Sequence, residues 1–496
     1  MMADELDTEL PNQPGAGIAR RSVMLALGGA TLAGSLPVAA EAASRAVTGP
    51  AAVLDVAIIG AGLSGLTSAR DLMRAGCTSF AVLEARERVG GRTVNHEILK
   101  GVIAEGGGQW IGMSQTAVAD LARELGVATF ESYYRGKSVF LVGDKTIAQD
   151  VGTGGAVGNK DITAKINTMA REVPSAAPWT AKNAAALDRQ SLGDWLTAQG
   201  ASDEDKFNYD LSARLTFGAP ASSLSMLNYL SVINTADCDQ ERLESMRDGA
   251  QEKRLVGGSV ILSETMAAQL GDKIRRGSPV RKIVGWNRDI VEVHTDKGIV
   301  RARQVIAALS PALCDQIEFD PPLPAGRARL QKLWPVNGRM RKTVHVYKRP
   351  FWRDAGLNGQ VTEVGGVILW SADNSPQDAS VGIITAFVDV DKVPSDPNAA
   401  KALLTPILAR ALGDEALNPI QYHEIDWGTV DRWTLSCTSP YPPNFLTRWG
   451  QFIQPPVGRL IWSGTETADI WAGAMDGAVR AGHRSALVAL RALTRR

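Results

Sequence analysis

The chain has 496 residues in which 53 Lys and Arg balance 53 Asp and Glu, so no net field draws it to nucleic acid or to an anionic membrane, and its partners belong in a pocket. Its four cysteines, Cys77, Cys238, Cys314 and Cys437, form no C-x-x-C pair or zinc spacing and are too few for a disulfide framework, so they read as free thiols. This length calls for two large domains rather than one simple core.

The first segment in chain order is Arg20-Arg21, followed by an uncharged, moderately apolar run from Ser22 to Ala40 and by small residues from Ala40 to Ala43 suited to cleavage. This is the pattern of a twin-arginine export signal, and it predicts a signal and linker over residues 1–45 and a periplasmic or secreted mature protein. A short membrane anchor is the competing reading, but the glycines and Pro37 weaken a spanning helix. No later segment reaches spanning length, so no stable membrane anchor is expected.

Next, Val53–Ile59 reads as an apolar strand, Leu63–Ala75 as a helix and Phe80–Leu83 as a second strand ending at Glu84, which together make a βαβ unit. Its first turn carries Gly60-x-Gly62-x-x-Gly65, with Leu63 and Ser64 opening the helix. The glycines permit a tight turn and close approach to a pyrophosphate, which sits at the positive end of the helix. Glu84 can accept hydrogen bonds from both ribose hydroxyls and would repel a 2′-phosphate. A turn of this kind without a ligand is the alternative, but strand, helix and terminal acid together favour a dinucleotide. The unit alone does not separate NAD from FAD.

Directly after it, Glu84-Ala85-Arg86 leads into Arg88-Val89-Gly90-Gly91-Arg92. This stretch resembles the Arg-x-Gly-Gly-Arg extension of flavin-dependent amine oxidases, in which glycines pass close to the phosphate and ribityl portion and arginines neutralise charge. By that resemblance the cofactor is FAD. The likeness continues in order along the chain. Glu105 to Gly112, with Gly107, Gly108, Gln109 and Trp110, resembles the family's glycine turn beneath the flavin. The run from Gln251 to Ile283 resembles the return into the FAD domain, where Val280 would hold the adenine by its backbone. Ile461 to Ala486 resembles the C-terminal flavin motif, in which Gly464, Thr465 and the amide of Met475 would contact the cofactor, with Glu466 and Ala474 beside them. A helix beginning near Met475 would aim its positive end at the part of the flavin where negative charge develops on reduction.

In this order the motifs resemble the flavin monoamine oxidase family. The implied fold is α/β, a two-domain FAD-dependent amine oxidase fold. A Rossmann-like FAD-binding domain would come from residues 50–130, 256–330 and 430–496, and a mixed α+β substrate domain from 131–255 and 331–429. In the second insertion, a strand over Met340 to Val346 would put Met340, Lys342, Val344 and Val346 on one face, making Lys342 an ammonium among apolar neighbours. In the family, a lysine matching Lys342 holds a water beside flavin N5. The implied reaction is oxidation of a C–N bond: a neutral amine gives up a hydride, the imine hydrolyses, and oxygen regenerates the flavin with release of peroxide. The five histidines, His96, His294, His345, His423 and His483, form no metal or triad spacing, so no general base and no metal are assigned.

Aligned through Pro442-Pro443, Ser436 falls where some family members carry a flavin-linked cysteine, Cys437 where many carry an aromatic cage residue, and Ala474 at the second cage tyrosine. This predicts noncovalent FAD and a pocket open to a bulky, branched or long amine. A one-residue slip would instead make Cys437 the covalent anchor. Trp471 or Trp433 could supply a replacement wall, or be ordinary core residues. Gln251 matches a pocket glutamine, and Glu244 lies near the substrate entrance, where it could meet a second amino group or simply be a solvated charge. An amine is favoured over an α-amino acid. The competing functions are a dehydrogenase with a periplasmic electron acceptor in place of oxygen, a C–C desaturase, and a noncatalytic flavin-binding scaffold. Dimerisation is common in the family, but no sequence signal speaks for a homodimer here.

Overall fold

Strands covered on both faces read as continuous apolar runs, and parallel strands are of this kind. Val56–Ile59, Phe80–Leu83 and Leu460–Trp462 are such runs, and in the computed structural model, which describes residues 52–151 and 159–494, they share one eight-stranded sheet. Its order is Ile274–Arg275, Phe80–Leu83, Leu54–Ile59, Gly298–Ala307, Val291–Thr295, Val280–Val284 and Glu318–Asp320, with Leu460–Trp462 against Gly298–Ala307. Leu54–Ile59 is parallel to both neighbours, and Ile59 stands level with Leu83 and Ala307. The carboxyl ends of these strands thus deliver Gly60, Glu84, Ala308 and Ser463 to one edge. That is the edge at which open parallel sheets bind ligands.

Two helices cover this region of the sheet, Leu63–Arg74 and Met475–Thr494. They cross closely at Gly482, where a Cβ would lie 2.6 Å from the Cβ of Thr67. Four serine hydroxyls satisfy one another at the crossing: Ser64 lies 2.8 Å from Ser463, and Ser485 lies 2.6 Å from Ser463 and 2.9 Å from Ser68. Buried hydroxyls need such partners.

A second sheet is antiparallel, in the order Ile368–Asp373, Gly382–Val388, Arg341–Tyr347 and Gln421–Asp426. The alternation read from sequence implied one apolar face on the strand that carries Lys342. All seven residues of Arg341–Tyr347 are buried, so both faces are covered. The strand is central, and Arg341, Thr343 and His345 face other parts of the protein. A third sheet joins Lys137–Val142 to Leu357–Glu363 in parallel and to Lys145–Gln149 antiparallel. The helices between residues 160 and 244 build a separate apolar cluster around Trp195, Tyr229, Leu230 and Ile233.

The described residues fall in one compact unit, Ala51–Arg496. The expected signal and linker over residues 1–45 lie outside them. Among the described residues no helix is long and apolar enough to cross a membrane. All four cysteines are free.

Candidate active site

A cavity of about 1060 Å³ starts at the sheet edge that carries Gly60 and Glu84 and continues between the strands Lys137–Gln149 and the helix Asp203–Phe217. Its first wall is the dinucleotide turn, with Gly60, Gly62, Leu63, Ser64, Glu84, Arg86, Gly91 and Arg92 all bordering the space. Gly65 does not border it. A Cβ there would lie 2.0 Å from the Gly60 carbonyl oxygen, so this glycine lets the helix sit on the strand. Around Gly62 there is room: the nearest atom to an added Cβ is Gly91 Cα at 3.9 Å. The backbone can therefore approach a phosphate from two sides. Gly62→Ala is accordingly expected to fold but bind FAD more weakly, whereas Gly65→Ala loses folded protein. Flavin absorbance per protein, compared with soluble yield, checks both.

Glu84 is buried, and its two oxygens accept from the Ala61 N–H at 2.7 Å and the Arg86 N–H at 2.9 Å. The remaining lone pairs of this carboxylate can serve ribose hydroxyls. The arginines expected to neutralise phosphate charge also have partners within the protein. Arg86 grips Asp431 at 2.7 and 2.8 Å and Thr434 at 2.7 Å. Arg88 donates to the carbonyls of Val89 and Gly91, and Arg92 pairs with Glu466 at 2.6 Å and donates to the Cys437 carbonyl at 2.8 Å. Arg86 and Arg92 lace the loop around Cys437 to the dinucleotide unit. The Ser64 hydroxyl turns into the serine cluster, which leaves only its backbone for a ligand. Ala85 and Val280 stand behind the cavity wall, Val280 in the apolar cluster with Ile59 and Leu83.

At the far end of this wall, Gly464, Thr465, Ala474 and Met475 border the cavity, with Glu466 behind them. Thr465 donates its hydroxyl to the Ala474 carbonyl at 2.7 Å and accepts the Gly473 N–H at 3.0 Å. This holds the loop that launches the helix at Met475, whose first N–H groups have no intrahelical partner.

Lys342 projects from the central antiparallel strand toward the glycine turn. Its Nζ donates to the Gly107 carbonyl at 3.0 Å and to Gln109 Oε1, and lies 5.5 Å from the Trp110 ring centre and 5.9 Å from that of Phe387. The lysine is 2% exposed and sits one layer behind the cavity, whose wall here is Gly108, Gln109, Trp110, Trp370 and Phe387. Gly107 also lies behind this wall. Burial pulls Lys342 down from 10.5 to about 7, against the pull of Glu105, which favours the charge. An amine so placed can hold or give up a proton near neutral pH.

Behind it lies an ion pair that spacing along the chain did not suggest. Arg254 meets Glu105 through two N–H groups at 2.8 and 3.4 Å, and both side chains are buried. Burial works to raise the Glu105 carboxyl, but Arg254 outweighs it and the carboxyl titrates below its usual range. Asn374, Trp370 and Phe387 likewise had no sequence signal. They reach the site only through the pairing of the second sheet.

At the amine end, Cys437 borders the cavity, and burial raises its thiol pKa. Ser436 does not border it; its hydroxyl lies 3.0 and 2.5 Å from the carbonyl oxygens of Gly338 and Thr438, between which its one proton is shared. Ala474 and Trp471 share the cavity wall with Cys437, and the Trp471 Nε1 is buried without a partner. Trp433 also borders the cavity, beside the Arg86–Asp431 pair, with the Arg281 and Arg432 guanidinium groups over its ring at 5.4 and 4.5 Å. Gln251 donates to the Leu243 carbonyl at 3.2 Å, and its Oε1 is buried without a partner. Glu244 borders the same space and accepts from Ser212 and Gln240.

Residues 63–490 match the model of the flavin containing amine oxidoreductase family. A Mycobacterium tuberculosis protein named as a flavin-containing monoamine oxidase, AofH, is 36% identical over 89% of this chain and 98% of its own length. Amine oxidase (flavin-containing) B of Sus scrofa is 32% identical over 88% of this chain and 86% of its own. Among solved structures, wild-type putrescine oxidase bound to putrescine superposes with a TM-score of 0.81 at 32% identity, covering 89% of this chain and 99% of that one. Cyclohexylamine oxidase from Brevibacterium oxydans IH-35A superposes with a TM-score of 0.80 at 27% identity, covering 90% and 100%.

Proposed function

Because the chain belongs to the flavin containing amine oxidoreductase family, we propose that this FAD-dependent amine oxidase deaminates a bulky or long-chain primary or secondary amine, with oxygen as electron acceptor. The observation that carries the substrate reading is the cavity itself. It runs without a break from the dinucleotide turn past Cys437 and Ala474 to Phe207, Leu211 and Leu215. Two small side chains stand where the family's paired rings would confine a slim amine, so a wide substrate can pass.

FAD supplies the two-electron acceptor when bound. The residues present fit it: Gly62 and Gly91 leave a cradle that a Cβ would begin to fill, Glu84 stands at the strand end where it would take ribose hydroxyls, and the helix N-termini at Leu63 and Met475, both at the cavity, would favour the cofactor's negative charge. The protein's own share of the reaction is to position the amine, exclude water and manage one proton. Trp110, Trp370 and Phe387 form an aromatic wall with centres 5.8 to 6.2 Å apart, against which a neutral amine can lie. Lys342, behind that wall, is suited to hold a water and exchange a proton with it.

We take the flavin to be noncovalent, since Ser436 is a hydroxyl turned into the backbone and offers no thiol. Acid precipitation tests this: yellow colour left in the supernatant supports it, and colour carried down with the protein would make Cys437 the anchor. Export by the twin-arginine route is part of the same proposal and rests on Arg20-Arg21 and the apolar run after it. Cell fractionation with Arg20 and Arg21 changed to Lys tests it.

The central experiment mixes the purified protein, without oxygen, with bulky, linear and aromatic amines. Bleaching of the flavin band by a bulky or long amine supports the reading, and recovery of the band in air identifies oxygen as acceptor. A band that no amine bleaches would overturn it. Cys437→Tyr is expected to cut kcat/KM for the bulky amine by about 10-fold or more while sparing a slim one, in the range that steric loss in an apolar pocket produces. An unchanged ratio between the two substrates would remove Cys437 from the pocket.

A further inference from the structure

The buried polar groups behind Trp110 form a chain with one direction. Glu105, held by Arg254 on one side, accepts from Asn374 Nδ2 at 3.1 Å. Asn374 Oδ1 accepts from Gln109 Nε2 at 2.7 Å, and Gln109 Oε1 accepts from Lys342. Asn374 and Glu105 are fully buried, so no solvent competes for their bond, and Gln109 is 2% exposed at the cavity wall. An amide can be turned either way round, but an ionised carboxylate can only accept. The carboxylate therefore sets the first amide, the first amide sets the second, and the second must show oxygen to the lysine.

We propose that Asn374 and Gln109 are positioning residues that relay the acceptor polarity of Glu105 to Lys342, so that both N–H groups of the neutral amine are taken and its lone pair is left for the cavity side. The two acceptors are Gln109 Oε1 and the Gly107 carbonyl. A neutral amine has two N–H groups, and these acceptors use both. With the lone pair free, Lys342 can accept a proton or hydrogen bond from a water at the wall, the role given to it above, on which this inference rests. Were Gln109 turned the other way, its NH2 would occupy that lone pair and leave Lys342 unable to accept.

The groups that bear on the lysine charge are Glu105 and Arg254 on the glycine-turn side, Cys437 from the loop at the amine end, and His96 from the strand Asn95–Leu99. The residues opposite it on the two flanking strands, Phe387 and Ile425, carry no charge, while on the second of these strands Glu424 pairs with Arg341 and Asp426 stands level with Arg341. Asn374 contacts the lysine only through Gln109, which separates a relay from a through-space effect.

The test is the titration of Lys342 in the FAD-bound protein, followed by NMR of 13Cε-labelled lysine and assigned by the signal lost in Lys342→Met. Asn374→Leu removes the link without changing charge, and the Lys342 midpoint is expected to fall by about one pH unit as Gln109 is freed to turn. In a Gln109→Leu background the same substitution is expected to shift nothing further. Asn374→Ala, run in parallel, gives a second reading at the same site. A midpoint that Asn374→Leu and Asn374→Ala leave in place, or that moves equally with and without Gln109, would overturn the relay. This readout does not depend on any amine being oxidised, so it fails or stands separately from the amine-bleaching experiment.

Discussion

Lys342→Met is expected to retain FAD and to lower kcat by about 10²-fold, the scale on which one positioned proton-exchanging group contributes. Methionine fills a similar volume, so packing against Trp110 and Phe387 survives, while Gly107 and Gln109 lose their donor. Stopped-flow measurement of flavin reduction and of reoxidation would locate the loss in one half-reaction or in both. Normal rates in both would take Lys342 out of the mechanism, and loss of the flavin would make its role structural. The variant also carries a pH signature. Lys342 titrates near 7 when folded and near 10.5 when unfolded, so between these values the unfolded chain holds a proton that the folded chain does not. Wild-type stability should therefore rise through that window by up to about 1.4 kcal/mol per pH unit and change little from this source below 7. Lys342→Met lacks the term, so the difference in denaturation midpoint between the two proteins should move in favour of wild type as pH rises from 7 to 10. A constant difference would mean that the lysine is charged in the folded protein.

A large loss of stability is expected from Arg254→Leu. Arg254 and Glu105 are 3% and 0% exposed, and the arginine also donates to the Ser375 carbonyl at 2.9 Å and lies over the Phe130 ring. Removing the arginine leaves a buried carboxylate without its cation, which costs about 3–5 kcal/mol. Adding Glu105→Gln should recover part of that, because a neutral amide is cheaper to bury than an unpaired charge. Denaturant titration of the flavin-bound proteins measures both. A loss below about 1 kcal/mol for the single variant would show that water enters and solvates Glu105, and that the pair contributes little. Either result also bears on Lys342, since the same carboxylate favours its charge and the same arginine opposes it.

Legibility in the sequence followed distance along the chain. The strand read as Val53–Ile59 is Leu54–Ile59, the helix read to Ala75 ends at Arg74, and Phe80–Leu83 is as read. The open space at Gly62 and the packing contact at Gly65 also follow from that one unit. By contrast, Glu105 and Arg254 are 149 residues apart and Gln109 and Asn374 are 265 apart. Glu105 and Gln109 stand in the glycine turn that the family resemblance marks, but nothing local marks their partners: Arg254 is one arginine in a short strand and Asn374 one asparagine past a strand end. The arginines were assigned to phosphate charge through the family resemblance, and what no local run showed is that their side chains also have partners at Asp431, Cys437 and Glu466, some 345 to 374 residues away.

By itself, then, the sequence determined the βαβ unit and the glycine positions, because turns, helix starts and close backbone approach depend on a few adjacent residues and leave few alternatives; the family and the flavin followed from the resemblance of its ordered motifs. Only the tertiary structure decided that Ser436 turns into the backbone while Cys437 meets the cavity, and that Lys342 stands behind Trp110 at the end of a chain of amides. Those outcomes depend on which distant groups share a low-dielectric space, where every buried donor must find an acceptor, and no run of neighbouring residues encodes that pairing.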